Sequence, residues 1–359
     1  MRHRSLLIVN WRDTTNPEGG GSERYVEEVA TGLAALGWRV TVLCARYPGA
    51  PREDHRRGVR YVYRGGKLTV YLHGLWQAAL HRADRVVDVQ NGLPFFTRLV
   101  QRRVTVLVHH VHREQWPVVY PGWQGRLGWW LESRLAPRLY RDCGYVTVSD
   151  ASRDELGRIG VDRSRITVVH NGTDPAPPRQ RPRGDVPTVV CVGRLVPHKR
   201  VEHAMDAVAK ARPEVPGVRL VVVGSGWWSQ RLHEYADELG IADAVEFRGF
   251  VTEDGKHAAY DEAWLLALPS LKEGWGLVVG EAAAHGVPAV AYRSAGGPNE
   301  SVHDGSSGVI VDDHAEFCAE VLELLSDPAR LSALSDGAAR TADHRSWAQA
   351  VQAWAALLA

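Results

Sequence analysis

The sequence predicts an α/β protein built from two doubly wound, parallel-sheet halves. Three observations predict it. The chain has 359 residues, enough for two domains at roughly 100–200 residues each. Short apolar runs alternate with amphipathic stretches, the pattern of βαβ units whose sheet is covered on both faces. Between residues 174 and 187 the chain reads DPAPPRQRPRGDVP, which cannot form a regular element, and the alternation restarts after it. That stretch is the expected linker between a first domain, 1–176, and a second, 177–342.

The elements follow in order. Leu6–Val9 reads as a buried strand, followed by the loop Glu18-Gly19-Gly20-Gly21. Ser22 is the expected N-cap of a helix carrying Val26, Val29, Ala30 and Leu33 at helical spacing, with Gly37 as its stop. Further strands are expected at Arg39–Ala45, Val86–Val89, Val104–Val108 and Tyr145–Val148. In the second half they are expected at Thr188–Val192, Arg219–Val223, Val245–Arg248, Trp264–Leu268, Ala289–Ala291 and Val309–Val311. Asp313-His-Ala-Glu316 opens a helix with a capping-box pattern. In folds of this type ligands bind at the carboxyl ends of the strands, so with two halves the expected site is the cleft between them.

Composition narrows the function. Basic and acidic residues number 43 and 42, which excludes a general nucleic-acid binder acting through bulk charge. Cys44, Cys143, Cys191 and Cys318 lie far apart with no CxxC pair, so they read as buried thiols and not as a zinc site. No apolar run reaches the ~18 residues of a membrane span, and the LLIV core near the start is too short for a secretory signal. The expected location is cytoplasmic, with a peripheral contact to the inner membrane face. That contact would run through 116–141, where Trp116, Trp123, Trp129 and Trp130 interleave with Arg126, Arg134, Arg138 and Arg141. A domain-packing helix with solvated arginines is the competing reading of that segment.

Four motifs can carry chemistry. The first is Gly19–Gly21, between a strand and a helix, where backbone N–H groups can meet an anion. Its spacing is not the G-x-G-x-x-G of a dinucleotide site, which argues against a dehydrogenase. The second is Gly193-Arg194…Lys199, after the first strand of the second half, where a guanidinium fork and a compact ammonium can hold phosphate. The third is Glu273-Gly274-Trp275-Gly276-Leu277…Glu281, a strand–loop–helix passage with an anion cradle and two carboxylates. A wholly helical spacing of eight separates two α-carbons by ~12 Å. That exceeds the glycosidase windows of roughly 5–5.5 Å or 6.5–9.5 Å, so two carboxylates binding separate hydroxyls of one extended ligand fit better. The fourth is His109-His110-Val111-His112. It lacks an evident carboxylate or thiol partner for a metal, and it reads as a polar loop lining the site.

Taken together these residues resemble the retaining family-4 glycosyltransferases of the GT-B fold. The matching features are the glycine loop with Ser22-Glu23-Arg24, His109, Val169-His-Asn-Gly-Thr-Asp174, Gly193-Arg194…Lys199 and Glu273…Glu281. The resemblance covers nearly the whole chain. It implies two Rossmann-like domains, with a nucleotide-sugar donor held mainly by the second, and a C-terminal helix within 343–359 that packs back on the first. By resemblance, Arg194 and Lys199 bind the diphosphate, Glu281 the ribose hydroxyls and Glu273 the transferred sugar. Gly274, Trp275, Gly276 and Leu277 line the sugar and phosphate, and Gly20 and Gly21 close on the donor. His109 contacts the sugar, or His110 where the register of the adjacent histidines differs by one. The run of three histidines departs from the commoner single one, on the acceptor side.

The implied reaction is retaining, metal-independent transfer from a UDP- or GDP-sugar to a lipid, a glycan or a small metabolite. The donor is a substrate, so no cofactor and no metal are expected, and no Asp-x-Asp motif is found. The rival reading is a non-catalytic GT-B partner that binds a nucleotide-sugar. The intact Arg194, Lys199, Glu273 and Glu281 argue against it. Base selection is expected near Gly224–Gly226 and Phe250-Val251.

Overall fold

The computed structural model describes residues 4–81, 83–177, 184–342 and 345–359. Residues 178–183 of the expected linker and 343–344 of the C-terminal segment lie outside the described residues. The chain divides into two compact units, one running to Gly172 and joined by Trp347–Ala359, the other Thr173–Ser346. The division falls ahead of the proline-rich stretch, not within it.

In the first unit the strands are β1 (Ser5–Val9), β2 (Arg39–Cys44), β3 (Glu53–Arg56), β4 (Val59–Tyr63), β5 (Arg85–Val89), β6 (Val104–Val108), β7 (Gly144–Thr147) and β8 (Ile166–Val168). Among the described residues they form one sheet in the order β3-β4-β2-β1-β5-β6-β7-β8. The helices are α1 (Gly21–Ala35), α2 (Val70–Leu80), α3 (Gln115–Val119), α4 (Trp123–Trp130), α5 (Ala136–Leu139) and α6 (Asp150–Arg158). Strands β1, β2 and β5–β7 are nearly continuous apolar runs, as a sheet covered on both faces requires. The sheet is parallel except for β3, which pairs antiparallel with β4 in the register Glu53↔Val62 to Arg56↔Val59. The parallel-sheet expectation holds, with β3 as one antiparallel edge strand added to it. A strand reading EDHR is polar throughout and sits at the edge, where one side needs no apolar cover.

The second unit holds β9 (Thr188–Val192), β10 (Arg219–Val223), β11 (Val245–Gly249), β12 (Leu265–Leu268), β13 (Ala289–Tyr292) and β14 (Gly308–Val311). They form a parallel sheet in the order β11-β10-β9-β12-β13-β14. Its helices are α7 (Val201–Ala211), α8 (Ser229–Glu238), α9 (Glu253–Glu262), α10 (Leu277–Ala284), α11 (Pro298–Ser301), α12 (His314–Ser326) and α13 (Pro328–Ala342). One core layer, with Val189, Leu220, Leu265 and Val290, lies under α7 and α12; the opposite layer, with Val190, Val221, Leu266 and Ala289, lies under α9 and α10.

The C-terminal helix, Trp347–Leu358, belongs to the first unit and packs on α1. The approach is close, since a Cβ on Gly32 would lie 2.2 Å from a Val351 methyl. Trp354 is buried and its Nε1–H donates to the Tyr25 hydroxyl at 2.8 Å. Tyr25 in turn donates to the Val169 carbonyl at 3.1 Å, so one ring ties α1, the C-terminal helix and the segment after β8. Among the described residues no helix is long and apolar enough to cross a membrane.

Ser22 is not the N-cap of α1. Gly20 takes that place, and the Glu23 carboxylate accepts from the Gly20 N–H at 2.7 Å and from the Ser22 hydroxyl at 2.9 Å. A buried acidic side chain in the first turn does the work expected of the serine.

Candidate functional site

In the second unit β9 is central, with β10 on one side and β12 on the other, so the chain order reverses between β9 and β12. Carboxyl ends of strands at such a reversal flank a crevice. Two loops leave it. The β9 loop begins at Gly193 (φ +153°) and is met by the β10 loop backbone to backbone. A Cβ on Gly224 (φ +134°) would lie 1.8 Å from the Gly193 carbonyl oxygen, which only glycine permits. Pro197–Lys199 then makes a single 3-10 turn ending at Arg200, a left-handed residue (φ +50°). The β12 loop is fastened to it, for the Leu271 N–H donates to the His198 carbonyl at 2.8 Å.

These turns bring Lys199 to Glu273, with Nζ 2.5 Å from Oε1. The side chains are 20% and 12% exposed, so the pair is largely desolvated. Burial alone would raise the Glu273 carboxyl. The Lys199 ammonium overrides it and, with Ser270 and His198, holds the group below the usual carboxylate range. The Glu273 backbone is pinned as well, its N–H donating to Ala295 at 3.0 Å and its carbonyl accepting from Gly297 at 3.1 Å. Trp275 is buried, with the Arg345 guanidinium 4.5 Å above its ring. Gly276 (φ +86°) caps α10, whose first residue is Leu277, so the positive end of the helix opens at this loop. Arg194 is part-exposed in the β9 loop.

Glu281 is the member of the carboxylate pair that lies on α10; Glu273 precedes the helix in the loop. The helical distance assumed from the eight-residue spacing therefore does not describe them. Glu281 accepts from Lys256 Nζ at 2.8 Å and from the Tyr260 hydroxyl at 2.9 Å, both on α9. Each carboxylate is thus paired with a cation of its own unit. Phe250, after β11, is 81% exposed.

In the first unit the reversal lies between β1 and β5. The glycine loop leaves β1 there. Gly20 caps α1 and gives its N–H to Glu23, and Gly21 is the first helical residue and exposed. His109 and His110 separate. His109 is 5% exposed, its ring edge-on to Tyr25 at 5.3 Å, and its Nε2 has no hydrogen-bond partner among the described residues. Burial lowers its pKa to about 4, although Glu23 at the start of α1 pulls the other way. It is a neutral imidazole beside the glycine loop. His110 turns away, with Nε2 3.1 Å from Gln115 Oε1 and its ring stacked on His112 at 4.3 Å.

The structure also explains the histidine run. Glu132 is 1% exposed and accepts from the His112 backbone N–H (3.1 Å), lies 2.9 Å from His112 Nδ1, and accepts from Trp116 Nε1–H (2.6 Å). It sits in a single π turn, Leu131–Leu135, that follows α4. Among the described residues no three His, Cys, Asp or Glu side chains converge as a metal site.

Sequence reasoning named His109 and quoted Asn171 but missed the polar rim to which both belong. Asn10, Gln90, His109, Ser149 and Asn171 are all buried and follow β1, β5, β6, β7 and β8 at their carboxyl ends. Gln90 Oε1, His109 Nε2 and Asn171 Oδ1 have no hydrogen-bond partner among the described residues. Buried polar atoms in that state are costly unless a ligand or water meets them. The signal was present, since each apolar run stops at a polar residue: LLIVN, VDVQ, VLVH, VTVS, TVVHN.

The two halves were compared with known proteins. Residues 174–341 match the family model for glycosyl transferases group 1, and residues 20–172 match the glycosyl transferase 4-like domain. A D-inositol 3-phosphate glycosyltransferase from Streptomyces bingchenggensis is 34% identical over 233 residues, covering 58% of this chain and 51% of that protein. A GDP-mannose-dependent alpha-(1-6)-phosphatidylinositol monomannoside mannosyltransferase from Mycolicibacterium smegmatis is 39% identical over 191 residues, covering 49% of this chain and 48% of that one. The chain thus spans about half the length of these curated relatives. The sucrose-phosphate synthase structure from Thermosynechococcus elongatus superposes with a TM-score of 0.81 at 19% identity, over 99% of this chain and 98% of that one.

Two parallel-sheet α/β units with this topology define the GT-B class of glycosyltransferase folds. With both halves matched, the chain belongs to the family-4 type of glycosyltransferase within that class.

Proposed function

We propose that this protein is a retaining glycosyltransferase that moves a sugar from a nucleotide-diphosphate donor to a hydroxyl acceptor. The observation that carries the reading is the Lys199–Glu273 pair between the ends of β9 and β12, beside the start of α10. As the anomeric bond breaks, negative charge grows on the leaving diphosphate. Lys199, Arg194 and the α10 N-terminus supply fixed positive potential where that charge develops, with no reorganisation at the moment of reaction. The same three groups make a metal unnecessary for that role. On donor binding the diphosphate takes Lys199 from Glu273, and Glu273 turns to the hydroxyls of the transferred sugar. Glu281 meets the ribose, and exposed Phe250 meets the base. The loop amides from Gly274 to Leu277 line the sugar and phosphate. His109, neutral with an open Nε2, faces the sugar in preference to His110. The leaving phosphate takes the acceptor proton on the same face.

The donor is a UDP- or GDP-sugar; the GDP-mannose dependence named for the mycobacterial relative supports the guanine form. That relative's phosphatidylinositol acceptor supports a lipid acceptor here. So does the segment 116–141, where Trp123, Leu127 and Trp130 are exposed beside exposed Arg126 and Arg134.

The test is a thermal-shift screen against UDP, GDP, ADP and dTDP, with and without EDTA, followed by transfer from the matching sugar. Saturation at ~100 times the dissociation constant stabilises the folded state by about 2.7 kcal/mol. A shift with one nucleotide, insensitive to EDTA and followed by turnover with retained anomeric configuration, is expected. Binding without turnover on any acceptor would leave the non-catalytic reading.

A further inference from the structure

Helix α2 packs Tyr71 on Phe95, yet it carries a row of large apolar side chains on the face away from the core. Its buried residues are small or slight, Val70, Gly74 and Ala78, four apart. Gly74 lets the helix lie directly on Phe95, where a Cβ would come within 2.4 Å of the ring. The opposite face carries the large apolar side chains, also four apart: Leu68 at its entry, then Leu72, Trp76 and Leu80, exposed by 74%, 69%, 65% and 62%. A surface helix ordinarily does the reverse. The row continues past the helix. The Gln101 side chain donates to the Ala78 carbonyl at 2.7 Å, which brings exposed Leu99 and Val100 to its carboxyl end.

Along the chain the charges flanking this row are basic, and one acidic side chain, Asp142, lies 3.8 Å from Arg98 beside Leu99. No acidic residue occurs between Asp54 and Asp84, nor between Asp88 and Glu114. Exposed Lys67 precedes the row, and exposed Arg102 and Arg103 follow Val100. The geometry points to an anionic lipid bilayer as the occupant of this face, with Leu72, Trp76 and Leu80 entering the interface and Lys67, Arg102 and Arg103 meeting the headgroups. The inference rests on the lipid-acceptor reading above for its purpose, since it would hold the first unit where such an acceptor is found. A stripe of bare leucine and tryptophan beside cations suits a bilayer better than an aqueous protein rim.

The experiment is co-sedimentation of the full chain with phosphatidylcholine vesicles, with and without about one third phosphatidylglycerol. Binding to the anionic vesicles, weakened by salt, is expected. Leu72→Ser with Trp76→Ser should lower the partition coefficient by about tenfold or more. Lys67→Gln with Arg102→Gln and Arg103→Gln should remove the dependence on phosphatidylglycerol. All these side chains are exposed, so circular dichroism and melting temperature should be unchanged. Wild-type chain left in the supernatant, or a Ser variant that sediments like wild type, would overturn the inference. So would a wild-type dimer that the Ser pair converts to monomer, since a second copy would then be the occupant. Vesicle binding needs no donor, so it persists if the transferase reading fails, and its loss leaves the nucleotide shift intact.

Discussion

Lys199 and Glu273 meet at 2.5 Å from two loops that leave adjacent strands of the second sheet in opposite directions. Neither loop could hold this pair alone. The contact needs the Gly193–Gly224 backbone approach, the 3-10 turn that aims Lys199, and the hydrogen bond from Leu271 to His198. A carboxylate kept ionised by its own unit's lysine is ready for a ligand that takes the lysine and leaves the carboxylate open for hydroxyls.

Removing Lys199 should therefore affect both stability and donor binding. Glu273 titrates below its unfolded value, so its contribution to stability is full above the usual carboxylate pKa of about 4.3 and is lost as pH falls through the folded value. In Lys199→Ala the largest opposing influence is gone, leaving Ser270 and His198 against a burial that disfavours the ionised form. The variant should lose about 2–3 kcal/mol at neutral pH, less than a fully buried pair because both ends are partly exposed. The difference from wild type should shrink below about pH 4. Affinity for the nucleoside diphosphate should fall about 10–100-fold, the worth of one charge-assisted contact. Melting curves over pH and titration calorimetry check both, and an unchanged affinity would remove Lys199 from the donor site.

Glu273→Gln separates ionisation from shape. The amide keeps the side chain's size and can still accept from the ammonium, but it carries no charge to form the ion pair. The fold should persist and donor binding should survive, while turnover falls by about 100-fold or more. Near-wild-type kcat with the same donor would refute a role for the Glu273 carboxylate in transfer.

His109 gives an acid limb to stability. Its pKa in the folded state is about 4, against about 6.5 unfolded, because burial penalises the imidazolium. Between those values the unfolded chain binds the extra proton, so folding weakens as pH falls from 6.5 to 4. The span is worth on the order of 3 kcal/mol. His109→Gln should lessen the fall in melting temperature over that window, with His203, lowered to about 4 by its own burial, keeping a share, while turnover falls at every pH. An unaltered acid slope in the variant would show that another group carries it.

Most of the fold was legible because buried parallel strands are apolar runs bounded by polar residues. The strands LLIV, VTVLV, TVVCV and RLVVV stand where their sequence puts them. Edge strand β3 was not legible, since EDHR has neither alternation nor apolar content, and only the neighbouring strand makes it β. The donor-side residues could be read because glycine, lysine and glutamate at strand ends have few structural uses. Glu132 could not. It lies inside an Arg- and Trp-rich helix, on the same face as buried Gly125 and Gly128, and only the fold brings His112 and Trp116 to it. Helical spacing gives its face but not its partners, which lie 16 and 20 residues earlier in the chain.

Phe250 offers a change that leaves the fold alone. At 81% exposure it supports little packing, so Phe250→Ala should hold the unfolding free energy within about 0.5 kcal/mol of wild type. If the base stacks on it, nucleotide affinity should fall by about 1–3 kcal/mol, the usual worth of base–aromatic stacking. Phe250→Tyr should restore most of the loss. Calorimetric titration with the nucleotide that gives the thermal shift decides it, and equal affinities for wild type and the alanine variant would place the base elsewhere.

Gly32 and Val351 test the return of the C-terminal helix to α1. A methyl at Gly32 would stand 2.2 Å from a Val351 methyl, too close for either helix to keep its place. Gly32→Ala gains helix propensity of about 1 kcal/mol in an isolated helix. Overpacking of this kind costs about 1–3 kcal/mol, so the net change should be destabilising or near zero, never the full propensity gain. Val351→Ala alone should destabilise by opening space. The double variant should be more stable than the sum of the two predicts, by about 1 kcal/mol or more of coupling. Denaturant melts of the four proteins measure it, and strict additivity would mean that the two positions do not touch.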